Sequence, residues 1–336
     1  MDHGGGDEHG TPDGAWSLIS VRHAGGGAPG RSERDRGRSR GDRLTGGSGQ
    51  GVPVRRVGVA VIHGIGGRDA DFADEMVEAV RQVFHRSVPE APRDALVFAP
   101  VHWAPVLQSA QAELTRRVQL EHELDWSGLR NVMISFVGDG IAYEPTAHDR
   151  RVYDAVHAVM ARALHRLATE AGADAPLCVV AHSLGSVIAS NYLYDLGKPE
   201  LVSDEVRAHM TDGALERGET LAHLFTMGSP LAVWALHHED FGRPLTVPST
   251  ALATRHPRLS GSWLNFFDRD DVIAYPLRQL NEAYATAVTE DVSVNAGGLV
   301  GRETPLSHHG YAAAPEVVGR IAATLAETWR HMGPDT

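Results

Sequence analysis

The sequence predicts an α/β fold: a mainly parallel sheet of about six strands with helices on both faces. Two observations carry this reading. From residue 54 onward, short apolar runs alternate with longer segments of helical periodicity. A parallel sheet has this pattern because each strand is buried on both faces and needs a crossover helix to reach the next. The chain also has 336 residues, 42% hydrophobic and 22% charged, an ordinary globular composition that suffices for one large core. The strands are read at 56–63, 95–103, 177–182, 221–227, 263–267 and 292–295. Helical patterns cover 70–84, 149–171, 184–196 and 315–332, the last with Val317, Val318, Ile321, Leu325 and Trp329 at helical spacing. A less regular stretch, about 104–145, contains Trp126, Leu129, Val132, Met133 and Phe136. It is expected to be a cap or lid over a site.

Residues 1–52 are expected to be a disordered Gly/Arg-rich tail, and 53–332 a single folded domain. The first fifty residues hold fourteen glycines, one aromatic (Trp16) and seven basic against seven acidic side chains. They offer too little apolar surface to offset the entropy of ordering. The formal charge of −12 argues against nucleic acid or anionic lipid as the main partner. Cys178 is the only cysteine, so neither an internal disulfide nor a cysteine zinc site can form, which fits a reducing, cytoplasmic setting. No apolar run approaches the ~20 residues of a membrane span, so stable membrane insertion is not expected. The stretch 15–21 makes a poor signal peptide, because no lysine or arginine precedes Arg22.

The sharpest chemical signal is Val179-Val180-Ala181-His182-Ser183-Leu184-Gly185. It reads as an apolar strand, a serine with small residues two positions to either side, and then a helix. Such a strand-turn-helix elbow holds a nucleophilic hydroxyl in a strained backbone above the sheet, and larger flanking side chains would collide with the turn. The helix that follows points free amides and its positive dipole end at the serine. A second signal is Val61-Ile62-His63-Gly64-Ile65-Gly66-Gly67, a strand running into a glycine-rich turn. Its backbone N–H groups can face a developing oxyanion, whereas the G-x-G-x-x-G spacing and a Walker lysine are absent. The oxyanion donors are expected at Ile65 and Leu184. His63, Gly64, Gly66 and His182 are candidates for touching substrate, the two histidines as hydrogen-bonded structural residues rather than second bases.

A serine needs a base, and the base needs an acid to orient it. The strand at 263–267 runs into Asp268-Arg269-Asp270-Asp271-Val272-Ile273, and the last strand leads to Ser307-His308-His309-Gly310-Tyr311. Both segments fall at carboxyl ends of strands, where ligands bind in such sheets. With these residues in place the chain resembles the α/β-hydrolase superfamily, whose chain order is Ser, then Asp or Glu, then His. The HGIGG and AHSLG stretches are most similar to small bacterial lipases of the Bacillus type. The superfamily resemblance covers about 54–331, the closer one only those two motifs. It implies an α/β-hydrolase fold lacking the first two strands of the usual arrangement. It also implies an acid in an Asp-x-Val-hydrophobic turn, which maps onto Asp270, with Asp268 and Asp271 as alternatives. The base is implied to be a His followed closely by an aromatic, which prefers His308 over His309.

The expected function is a serine hydrolase acting on a carboxylic ester through Ser183, His308 and Asp270, on a small-molecule substrate and with no cofactor. The alternatives are an acyltransferase or thioesterase with the same triad, or a binding protein that keeps the fold without turnover. Metal binding is not expected. His237-His238-Glu239-Asp240 points adjacent side chains about 100° apart on a helix, and the three aspartates after the fifth strand lack the pattern of a calcium loop. Asp139 and Tyr143 either line the pocket or simply form a turn. Cys178, inside the strand below the elbow, is expected to be a buried small hydrophobe.

Overall fold

In the computed structural model of the chain, the residues described are 55–64, 69–120, 137–146, 148–297 and 305–332. The expectations for the tail, and for Trp126, Leu129, Val132, Met133 and Phe136, lie outside them. The six strands are β1 (Val57–Ile62), β2 (Leu96–Val101), β3 (Leu177–His182), β4 (Leu221–Met227), β5 (Ser262–Asp268) and β6 (Glu290–Val294). They form one all-parallel sheet in the order β2-β1-β3-β4-β5-β6.

Alternation of side chains along each strand divides the core into two layers. In β1, Ala60 and Ile62 face one layer while Val57, Val59 and Val61 face the other. The first layer is completed by α3 (Arg151–Ala171) and α4 (Leu184–Leu196), the second by α1 (Asp74–Ser87) and α5 (Pro315–His331). Met76, Val80 and Phe84 of α1, at helical spacing, pack in the same layer as Val317, Ile321 and Leu325 of α5. Cys178 is buried in this layer as a free thiol, as its place in the sequence predicts.

The chain runs outward from β1 to β2, then crosses back to β3 on the other side of β1 and proceeds to β6. The direction of winding therefore reverses between β1 and β3. Helices diverge to opposite faces there and leave a crevice at the carboxyl ends of the strands. His63 and Gly64 leave β1 at that crevice, and Ser183 leaves β3.

The stretch expected to form a cap is helical where it is described. The helix α2 (Pro105–Thr115) is followed by a wider turn at Arg116–Leu120, and residues 137–143 are again helical. Asp139 accepts a hydrogen bond from Gln111 of α2. Tyr143 lies in this helix rather than in a turn. It is fully buried, with its hydroxyl 2.9 Å from Nε2 of His157 and accepting from Nδ2 of Asn191 at 3.3 Å, so it anchors this helix to α3 and α4. No helix among the described residues is long and apolar enough to cross a membrane.

Candidate active site

Ser183 sits between β3 and α4 with φ 53° and ψ −131°, a conformation that costs a non-glycine residue free energy and persists only where the surroundings enforce it. Here the Ser183 amide donates to the Met227 carbonyl at 2.9 Å. The Ser183 carbonyl accepts from the Ser186 hydroxyl at 2.6 Å, and Ser229 lies 2.7 Å from the same hydroxyl. Small neighbours are needed for the reason the sequence suggests. A Cβ on Gly185 would strike the backbone carbonyl of His63, and one on Gly64 would strike the Ser183 side chain. Ser183 is wholly buried.

The covering partner is His308, in the helical turn Pro305–Ala313 that follows β6. Its Nε2 lies 2.7 Å from the Ser183 Oγ, and its Nδ1 donates to Oδ2 of Asp271 at 2.8 Å. Ser183, His308 and an aspartate are thus joined in one hydrogen-bonded chain. The aspartate corrects the sequence reading: it is Asp271, not Asp270. The backbone turns sharply after β5, leaving Asp270 exposed, with its amide donating to Oδ1 of Asp268 at 3.0 Å. Asp268 is committed to the same turn and to the next loop, because its Oδ2 accepts from the Ala296 amide at 2.6 Å. Asp271 alone of the three reaches His308.

The Asp271 carboxylate also accepts from the Ile273 amide at 3.0 Å and the Tyr311 hydroxyl at 2.9 Å. Burial pushes its pKa up, but the hydrogen bonds from His308, Ile273 and Tyr311, with the attraction of His308, outweigh this and hold it below the usual carboxylate range. Tyr311 accepts in turn from the Asp268 amide at 2.8 Å, so one phenol fastens the acid turn at both ends. Gly228, at φ +56°, passes directly beneath. A Cβ there would lie 2.9 Å from Tyr311 and 3.2 Å from both Asp271 and His308. Sequence reasoning missed Tyr311, Gly228 and the Ser186–Ser229 pair as parts of this site. The glycine directly after an apolar strand was a usable signal for Gly228.

His309 is not bonded to Ser183; it is exposed on the same turn and borders a cavity of about 180 Å³ beside the serine. His63, Gly64 and His182 border it too, together with apolar side chains such as Phe72, Met76 and Met227. Three residues expected near substrate are therefore gathered here. Leu184 is the first residue of α4, where an amide has no acceptor within its own helix. Ile65 and Gly66 lie outside the described residues. Trp103 stands behind this wall and does not border the cavity, its Nε1 donating to the His63 carbonyl at 2.8 Å.

Three buried histidines, His63, His157 and His223, and the half-buried His182 make the fold sensitive to acid. Burial lowers His63 to about 4, His182 to about 3 and His223 to about 4, and holds His157 well below its ordinary value. Each is neutral in the folded chain and takes up a proton near pH 6.5 when unfolded. Their stabilisation is complete above pH 6.5 and is lost as pH falls towards 4, by about 1.4 kcal/mol per pH unit for each proton taken up. Urea unfolding from pH 7.5 to 5.0 is expected to show a steep loss of stability below pH 6.5. Constant stability across that range would contradict it.

No protein-family model matches the chain, and no curated protein matches it. The functional reading rests on the residues and their geometry.

Proposed function

We infer that the protein is a serine hydrolase that cleaves a carboxylic ester through an acyl-enzyme intermediate. The observation that carries this reading is the continuous chain from Ser183 Oγ through His308 to Asp271, built on a strained serine at the switch point of the sheet. Strain at a residue whose hydroxyl already contacts an imidazole is what an activated nucleophile requires. The order Ser183, Asp271, His308 along the chain supports the resemblance to α/β hydrolases noted from the two motifs. The single buried cysteine suits a cytoplasmic protein.

In this mechanism the Ser183 oxygen attacks the ester carbonyl carbon as its proton passes to Nε2 of His308. Asp271 keeps the Nδ1–H tautomer and stabilises the imidazolium. The Leu184 amide, at the positive end of α4, donates to the oxyanion. Collapse expels the alcohol, which takes the proton from Nε2, and leaves the acyl group on Ser183. Water then attacks that ester, giving its proton to His308, and the acid departs as Ser183 regains its hydrogen. Every atom in this sequence comes from the chain, the ester and one water.

Hydrolysis of 4-nitrophenyl acetate and butanoate, measured for the full chain and for Ser183→Ala, tests the reading. Turnover is expected to fall at least about 10³-fold in the variant. Equal turnover in both proteins would refute it.

A further inference from the structure

Ser183 and His308 come from segments 125 residues apart, and the side chain of His182 joins the two. His182 is the last residue of β3 and directly precedes the nucleophile. Alternation along β3 sends Leu177, Val179 and Ala181 into one layer of the core and Cys178 and Val180 into the other. His182 continues the second set, so its ring leaves the strand on the face where Tyr311 and the turn Pro305–Ala313 sit.

There its Nε2 lies 2.7 Å from the main-chain carbonyl oxygen of His308 itself. A carbonyl can only accept, so Nε2 carries the hydrogen and donates it. The ring packs 4.9 Å from that of His308 and 5.9 Å from that of Tyr311, between centroids. Its Nδ1 lies close to Gly64, where a Cβ would come within 3.1 Å of it. Burial, with His308 alongside, holds His182 at about 3, so the ring is neutral at any pH near 7. It therefore adds no charge against the imidazolium that forms on His308, which a cation at that distance would oppose.

Proton transfer needs the Nε2 of His308 within hydrogen-bond reach of Ser183, and a displacement of about 1 Å costs on the order of 10²-fold. The bond to Asp271 fixes the rotation and tautomer of the imidazole but grips only the side chain. The bond from His182 grips the main chain of the same residue, and does so from the strand that ends at the serine. We propose that His182 is a positioning residue of the serine-hydrolase reading, on which this inference rests: its Nε2–H ties the His308 main chain to β3 and so sets the distance between base and nucleophile. His182 takes no proton itself.

Hydrolysis of 4-nitrophenyl butanoate by the full-length wild type, His182→Phe and His182→Gln tests this. Phenylalanine keeps the ring and loses the donor, whereas glutamine loses the ring and returns an uncharged N–H at the Nε2 position. His182→Phe is expected to lower kcat about tenfold or more, and His182→Gln to stay within about threefold of wild type. A packing role alone predicts the reverse order, and a role in touching substrate predicts a change in KM at unaltered kcat. Either result would overturn the proposal. A second measurement needs neither catalysis nor a variant. Ring ¹⁵N spectra of the wild-type protein at about pH 7 are expected to show His182 with its hydrogen on Nε2 and a bare Nδ1, and a hydrogen on Nδ1 instead would overturn the tie. An active wild type with His182→Phe at full rate would sink the positioning role alone. A wild type that hydrolyses no ester would sink the hydrolase reading and this role with it.

Discussion

Exchanging Asp271 for asparagine is expected to lower kcat by about 10⁴-fold, with KM little changed, whereas Asp270→Asn is expected to stay within about twofold of wild type. Asparagine occupies the same volume but can present an N–H to His308 Nδ1. This selects the tautomer that holds its hydrogen on Nε2, and such an imidazole cannot take a proton from Ser183. Its loss of charge also leaves the imidazolium of the transition state uncompensated. Asp270 is exposed and contacts neither His308 nor Ser183, so its exchange touches neither effect. Tyr311→Phe falls between the two. It removes one of the hydrogen bonds to Asp271 and the bond from the Asp268 amide while the His308–Asp271 contact remains, so a fall in kcat of about tenfold is expected, at unchanged KM. Steady-state kinetics on the three purified variants check the series. A larger loss at Asp270 than at Asp271 would overturn the assignment of the acid.

Removal of the imidazole is expected to be more damaging still. His308→Ala should cost about 10⁶-fold in kcat, close to the loss for Ser183→Ala, because nucleophile and base act as one unit and losing either removes the whole effect. The double variant should be no worse than either single one. His309→Ala should reduce activity only modestly. It borders the cavity but makes no contact with Ser183, and its ring lies 5.7 Å from that of His308. Circular dichroism on each variant separates lost chemistry from lost fold. Abolished activity in His309→Ala with retention in His308→Ala would reverse the roles.

Much of this arrangement is legible in the sequence because it is written locally. A strand buried on both faces must be a short apolar run, and the bounds of β3 and β4 match those runs to the residue. The serine elbow is equally local, since Ala181 and Gly185 must be small for steric reasons confined to one turn. The order of Ser, Asp and His follows from which strands end at the crevice. The register of the acid is another matter. Asp268 ends β5 and Asp270 and Asp271 follow within three residues, and only the backbone turn, fastened by Asp268 and Tyr311, decides which carboxylate faces His308. Tyr311 and Gly228 are non-local in the same sense, as their partners come from distant segments of the chain. Tyr143 looked like part of a turn because Gly138 and Gly140 precede it, and its burial depends on His157 and Asn191 in other helices. The start of α1 is also later than the apolar pattern suggests, at Asp74 rather than residue 70, because residues 69–73 are used in a turn closed by the Phe72 and Asp74 amides.

The central claim is that Ser183 is an activated nucleophile, and covalent labelling tests it most directly. The folded full-length protein would be treated with a small fluorophosphonate, its intact mass measured and the adduct mapped to a peptide, with Ser183→Ala alongside. A single adduct on Ser183 that is absent from the variant is the predicted result. A folded protein that stays unlabelled, or that carries its adduct on another residue, would contradict the account.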